Sequence, residues 1–97
     1  SLVSYPSGSF PINGLLFSPV GEARQGRMAG AAVALLHGGG GAQDDVHIFT
    51  DGALGLAARG YHCLMPNYFD ATPNQRRSTA VAARRWRQAI LDGVRWL

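Results

Sequence analysis

The residues with the clearest capacity for chemistry are His37 and the four glycines behind it, Gly38 to Gly41, followed closely by Asp44 and Asp45. Glycine adopts backbone angles closed to other residues and brings bare N–H groups close to a ligand. Either aspartate suits the cap of a helix beginning there. A helix start adds unpaired N–H groups and the positive end of a dipole, so the stretch is a natural anion site. A Walker-type phosphate loop requires G-x-x-x-x-G-K-S/T, and the chain contains no lysine. A dinucleotide fingerprint requires G-x-G-x-x-G, but counting from Gly38 puts Gln43 at the last position and counting from Gly39 puts Asp44 there. The third chemistry is an oxyanion hole, in which backbone N–H groups meet the negative oxygen that develops when an ester or amide carbonyl is attacked. A tight turn with a close packing contact accounts for the same glycines without a ligand.

The other chemistry-bearing residues are more scattered. His47 falls in an expected helix and His62 in an expected strand, and with His37 they have no metal-ligand spacing. Cys63 is the single cysteine, which excludes an internal disulfide framework. Six of the nine arginines fall between Arg76 and Arg95. An arginine-rich helix can follow a nucleic-acid backbone, but arginines also line the wet face of a helix with their stems over apolar surface. Trp86 and Trp96 fall on or next to the apolar stripe rather than among the arginines as stacking platforms, so no nucleic-acid partner is expected.

Those residues need elements to position them. Ala31 to Leu36 is an apolar run without polar alternation, the pattern of a strand covered on both faces. Ser1 to Tyr5 and Ile12 to Phe17 read as two short strands pairing with each other across Pro6 to Ser9, with Pro11 just beyond. Glu22 to Gly30 reads as a polar loop. From Asp44 or Asp45 to Arg59, Val46, Phe49, Ala53, Leu56 and Ala57 recur at helical spacing, Gly52 and Gly55 weaken the helix, and Gly60 stands where it should stop. Tyr61 to Met65 is a second apolar strand closed by Pro66, the parallel partner of the first through a right-handed crossover. Asn67 to Asn74 is a turn-rich loop, with Thr72 and Pro73 as cap and first position of a long helix. Its stripe is Ala82, Trp86, Ala89, Ile90, Gly93, Val94 and Leu97, the side expected to pack on the sheet.

At 97 residues, with 46% hydrophobic content and a formal charge of +3, the chain fits one domain. No stretch approaches the roughly 18 to 20 apolar residues that cross a bilayer, and SLVSYPSGSFP lacks the regions of a signal peptide. The chain begins at Ser1 without an initiator methionine, so a signal further upstream remains compatible with it. The compartment is open, with a soluble cytoplasmic protein preferred and no membrane partner expected.

In order, the chain offers edge strands, an apolar strand ending in His37-Gly38-Gly39-Gly40-Gly41, a helix, and a strand ending in Leu64-Met65-Pro66-Asn67-Tyr68-Phe69-Asp70. An arginine-bearing helix follows, with Arg85-Trp86-Arg87 and Val94-Arg95-Trp96-Leu97. This resembles the first part of the dienelactone hydrolase family, within the α/β-hydrolase superfamily, over nearly the whole chain. The glycine loop and the Pro66 to Asp70 segment are its sharp motifs. Histidine followed by glycines after the third strand is the form the oxyanion hole takes in many esterases and lipases of that superfamily. The resemblance implies the N-terminal part of an α/β-hydrolase fold: two edge strands, then strand-helix-strand-helix with parallel pairing. Residues 1–97 are then one portion of a single domain. It further implies hydrolysis of a small-molecule ester or lactone by a serine or cysteine nucleophile, assisted by histidine and an acid, without metal or organic cofactor.

Residue by residue, the resemblance places oxyanion-hole amides at Gly39 and Gly40 and a substrate-bordering loop at Tyr68 and Phe69. It gives His37 the support of the loop, since the ring would have to leave the strand end to act as a base. The family's nucleophile sits on a strained G-x-S/C-x-G turn. Ser1, Ser4, Ser7, Ser9, Ser18 and Ser78 all lack the flanking glycines, so the chain is expected to stop before that turn and to be inactive alone. The family's sheet sets the third strand between the fourth and a fifth, which leaves Val33 to Leu36 as an open apolar edge through which the chain would associate with itself. Gly38 stands where the dienelactone enzymes carry a glutamate, and this favours a broader esterase over a lactonase. A reading of a different class is a small non-catalytic α/β module that binds an anionic ligand or a protein partner through its glycine loop.

Overall fold

The N-terminal hairpin shows how a ladder accommodates two prolines. A computed structural model describes residues 1–25, 30–39, 41–74 and 79–97, with the backbone alone at 23 and 42–45. In it β1 (Leu2–Ser7) and β2 (Phe10–Phe17) pair antiparallel around Gly8, at φ 60°, and Ser9. Ser1 and Leu16 exchange both backbone bonds, at 2.9 and 2.8 Å. Bonded and non-bonded pairs alternate along an antiparallel ladder. Pro6, opposite Pro11, therefore falls at a non-bonded pair, where neither proline is asked for an N–H. Both strands consequently run further than the sequence reading, which stopped the first at Tyr5 and began the second at Ile12.

A 3-10 helix at Gly21–Gln25 opens the stretch read as a polar loop. Then come β3 (Ala32–Ala34), α1 (Ala42–Ala58), β4 (His62–Pro66), a 3-10 helix at Tyr68–Ala71 and α2 (Ala80–Trp96). The sheet order is β1-β2-β4-β3, with β2 antiparallel and β3 parallel to β4. The architecture is a mixed α/β fold.

Three boundaries depart from the sequence reading. The run Ala31 to Leu36 is not a strand covered on both faces: β3 is three residues long, at the margin of the sheet, with Ala32 and Leu36 exposed. Its ladder uses Ala31 O, which accepts from His62 N–H at 2.8 Å, and Leu35 N–H, which donates to Leu64 O at 2.9 Å. Ala32 and Ala34 accordingly turn their backbone groups to the open side. Helix α1 is capped at Gly41, at φ 90°, with no side-chain cap bond, and Asp44 and Asp45 lie inside its first turn instead of before it. Helix α2 does not start at Thr72 and Pro73: Thr79 caps it, accepting from Ala82 N–H at 3.1 Å. Thr72 is held elsewhere, its N–H donating to Phe69 O and its hydroxyl accepting from Trp86 Nε1–H at 2.7 Å.

The stop at Gly60 holds as read. Gly60 N–H donates to Ala57 O at 3.1 Å and Tyr61 N–H to Leu56 O at 3.1 Å, with Gly60 at φ 102°. This paired closure satisfies the last carbonyls of α1. No helix among the described residues is long and apolar enough to cross a membrane.

The core lies where α2 meets the sheet, built from Tyr5, Ile12, Leu64, Ala71 and Ala89, with Val3, Leu16, Tyr68 and Trp86 against it. Ala82, Ala89 and Gly93 of the expected stripe are buried, whereas Val94 and Leu97 are exposed on its flank. Tyr5 crosses from β1 to donate its hydroxyl to Ala89 O at 2.7 Å. Burial, with the carboxylates of Asp92 and Asp70 adding to it, pushes the Tyr5 phenol up to about 12. Ser7 ties the same strand to α2 by donating to Asp92 Oδ2 at 2.7 Å, while Gln88 Nε2 donates to Asp92 Oδ1 at 2.8 Å. The Ser7 hydroxyl first, then Gln88 and the charges of Arg95 and Arg85, hold the Asp92 carboxyl below its ordinary value.

Two predictions follow from this packing. A Cβ on Gly93 would lie 2.6 Å from Tyr5 Oη and 2.8 Å from Tyr5 Cζ. Gly93→Ala should therefore cost about 1–3 kcal/mol in urea unfolding, despite alanine's better helix propensity. The second concerns pH. Between about pH 10 and 12 the unfolded chain releases the Tyr5 proton while the folded chain keeps it, so stability should fall across that window and Tyr5→Phe should flatten the slope. At the acid end the Asp92 contribution is present above about pH 4 and is lost as pH falls through the lowered folded value. Asp92→Asn should reduce that acid loss, as read by melting temperature against pH.

Candidate functional site

The glycine loop leaves the carboxyl end of β3 and meets the segment that leaves the carboxyl end of β4. His37 is the joint between them. The residue is only 3% exposed, and its ring lies flat on Tyr68 at 3.8 Å between centroids and 5° between planes and meets the edge of Phe69 at 4.7 Å and 77°. Tyr68 Oη donates to His37 O at 2.5 Å. Trp86 completes the cluster from α2, with its ring 4.8 Å from Phe69 and 6.0 Å from Tyr68.

This geometry decides which proton His37 carries. Nδ1 lies 2.8 Å from Gly38 O, and a carbonyl oxygen only accepts, so in the neutral ring the proton is on Nδ1. Nε2 is then an acceptor, buried and without a hydrogen-bond partner. The ring is thus bonded and stacked within the loop and its aromatic neighbours.

The same bond orients the next peptide. Gly38 O accepts from His37 Nδ1–H and also from Gly41 N–H at 3.0 Å. In a planar trans peptide the carbonyl and the following N–H point in opposite directions. The Gly39 N–H therefore points away from the two donors that hold Gly38 O. Gly39 is exposed, a Cβ built on it would meet nothing within 4 Å, and its N–H has no partner among the described residues. The Gly41 N–H, by contrast, is spent inside the loop. Gly40, the second expected oxyanion residue, lies outside the described residues.

Of the two aromatic residues expected to border a substrate, Tyr68 is half-buried and Phe69 is 4% exposed. Phe69 backs the helix cap as well, 3.8 Å from where a Cβ on Gly41 would sit. His47 is exposed on α1, and His62 lies at the amino end of β4, so neither joins His37. Among the described residues no group of three or more His, Cys, Asp or Glu side chains is placed to hold a metal. Cys63 is fully buried in β4 and burial pushes its thiol up, which suppresses the thiolate that a nucleophile requires.

One residue of the Pro66 to Asp70 segment was given no role by the sequence reading. Asp70 Oδ2 accepts from Asn13 N–H at 2.9 Å and from Asn13 Nδ2 at 3.2 Å, while Oδ1 accepts from Asn67 Nδ2 at 3.2 Å. Asn67 N–H in turn donates to Asn13 O at 2.7 Å. These bonds pin to β2 the segment that presents Tyr68. The three-residue spacing of Asn67 and Asp70 was the available signal, since short polar side chains at that interval bond across one turn.

No protein-family model, curated protein or solved structure matches the chain. Asp70→Ala removes the acceptor shared by Asn13 and Asn67, and because water reaches the exposed Asn13 donors it should lower unfolding free energy by only about 0.5–1.5 kcal/mol in denaturant titration.

Proposed function

We propose that this chain is the N-terminal portion of an α/β-hydrolase-type domain, with a glycine loop that stabilises the oxyanion formed during ester hydrolysis. Gly39, with Gly40 beside it, supplies the N–H donors. A serine or cysteine nucleophile comes from a part of the protein beyond these residues. The observation that carries the reading is the exposed Gly39 N–H, turned outward at the carboxyl end of a parallel strand. Open α/β sheets bind ligands at that end, and a preorganised N–H costs no reorganisation when charge appears. The sheet order and the Pro66 to Asp70 segment lend support through their likeness to the dienelactone hydrolase pattern. His37 braces the loop, Tyr68 borders the cleft and Phe69 forms its floor. A small ester is the substrate class, because Gly38 replaces the glutamate of the lactone-cleaving enzymes.

The Gly41 N–H bonded back to Gly38 O favours a second reading, in which the loop is a closed turn at a helix start and the fold is a non-catalytic binding module. The two readings part in any longer chain that carries these residues together with the proposed nucleophile. As a hydrolase it should form an acyl-enzyme with nitrophenyl esters, and Gly39→Pro, which deletes the N–H, should lower kcat by about 10²- to 10³-fold. No acyl-enzyme and no turnover across a panel of such esters would leave the module reading.

A further inference from the structure

An oxyanion donor is useful only if its direction is fixed before charge develops. Four glycines do not fix it by themselves, because each is the residue with the most backbone freedom to lose. Here two successive peptides are held by side chains. The first joins His37 to Gly38, and its carbonyl accepts from Tyr68 Oη. The second joins Gly38 to Gly39, and its carbonyl accepts from His37 Nδ1–H. The His37 ring can serve the second peptide only while it stays in place, and the Tyr68 ring lying parallel to it holds its face while Phe69 meets it edge-on. Tyr68 thus acts twice, once by hydrogen bond on the chain entering the loop and once by stacking on the group that orients the Gly39 N–H.

We propose that Tyr68 is a positioning residue of the glycine loop, setting the direction of the Gly39 N–H through the His37 carbonyl and the His37 ring. The catalytic consequence rests on the hydrolase reading above, whereas the ordering of the loop does not. Tyr68 comes from the carboxyl end of β4, 31 positions along the chain. The coupling therefore links the loop to the sheet's most buried strand. It also accounts for the unpartnered Nε2. The ring is placed for what Nδ1 does, and the stack on Tyr68 holds it despite the unmatched acceptor.

The test uses the 97-residue chain, nitrogen NMR of the imidazole and amide exchange. In the wild type His37 should read as the Nδ1–H tautomer. Tyr68→Phe keeps the ring and removes the donor. It should speed exchange of the Gly41 amide by about tenfold relative to amides of the β1–β2 hairpin and shift His37 toward the Nε2–H tautomer. Tyr68→Leu, which removes the stack as well, should do both more strongly. An unchanged Gly41 exchange and His37 tautomer in Tyr68→Phe would overturn the proposal, as would faster exchange spread evenly over all amides, the mark of general destabilisation. In the longer protein Tyr68→Phe should lower kcat by about tenfold at unchanged KM. If the wild type there cleaves no ester, the hydrolase reading falls while the loop measurements still decide the positioning role.

Discussion

The structure depends on the burial of β4. Cys63, Leu64, Met65 and Pro66 are all buried, and such a strand is stable only when both neighbours and both faces are supplied. β2 supplies one neighbour in antiparallel pairing and β3 the other in parallel. Leu64 reaches the α2 side, where it lies 3.0 Å from the position of a Cβ on Gly93. The approach of β2 is equally close: a Cβ on Gly14 would sit 2.9 Å from Met65 O and 3.3 Å from Pro66 Cα. Glycine at both places lets the surrounding elements come as near as the strand requires.

The loop chemistry inherits its order from that strand. Where β4 ends, Asn67 and Asp70 fasten the chain to β2 through Asn13, and the residues between them can only face the glycine loop. Tyr68 and Phe69 then enclose His37, while Trp86, anchored on Thr72, closes the cluster from α2. Four aromatic rings from three separate parts of the chain meet there, and their offset and edge-on contacts fix orientation better than aliphatic packing would. A loop of glycines, entropically expensive to order, is thereby held by its surroundings instead of by its own sequence.

That division separates the N–H groups of the loop into two kinds. Gly41's closes the turn and caps a helix whose first residue has no side-chain cap, which is structural work. Gly39's has no partner among the described residues and lies at the carboxyl end of the parallel pair. His37, at the head of the loop, is the residue most easily mistaken for a base. Its burial and its bond to Gly38 O fit the bracing role proposed for it.

Much of this was written in local spacing. The pairing of the hairpin, the succession from β3 through α1 to β4, the end of α1 at Gly60 and the burial of Ala82, Ala89 and Gly93 follow from periodicity and from the chemistry of single residues. Other features had no local mark. Thr72 and Thr79 are equally good caps by type, and the choice fell to Thr79 because the Trp86 indole engages the Thr72 hydroxyl. The apolar run at Ala31 to Leu36 suited a strand covered on both faces, yet only Ala32–Ala34 is strand and Ala32 and Leu36 are exposed, while its place at the open edge is the one the resemblance implied. The stack of His37 on Tyr68 joins residues far apart in the chain, beyond the reach of any periodic pattern. Sequence spacing records which face a segment must turn inward. Which partner arrives at that face, and what geometry it imposes on a glycine loop, is decided by contacts that exist only once the sheet has closed around β4.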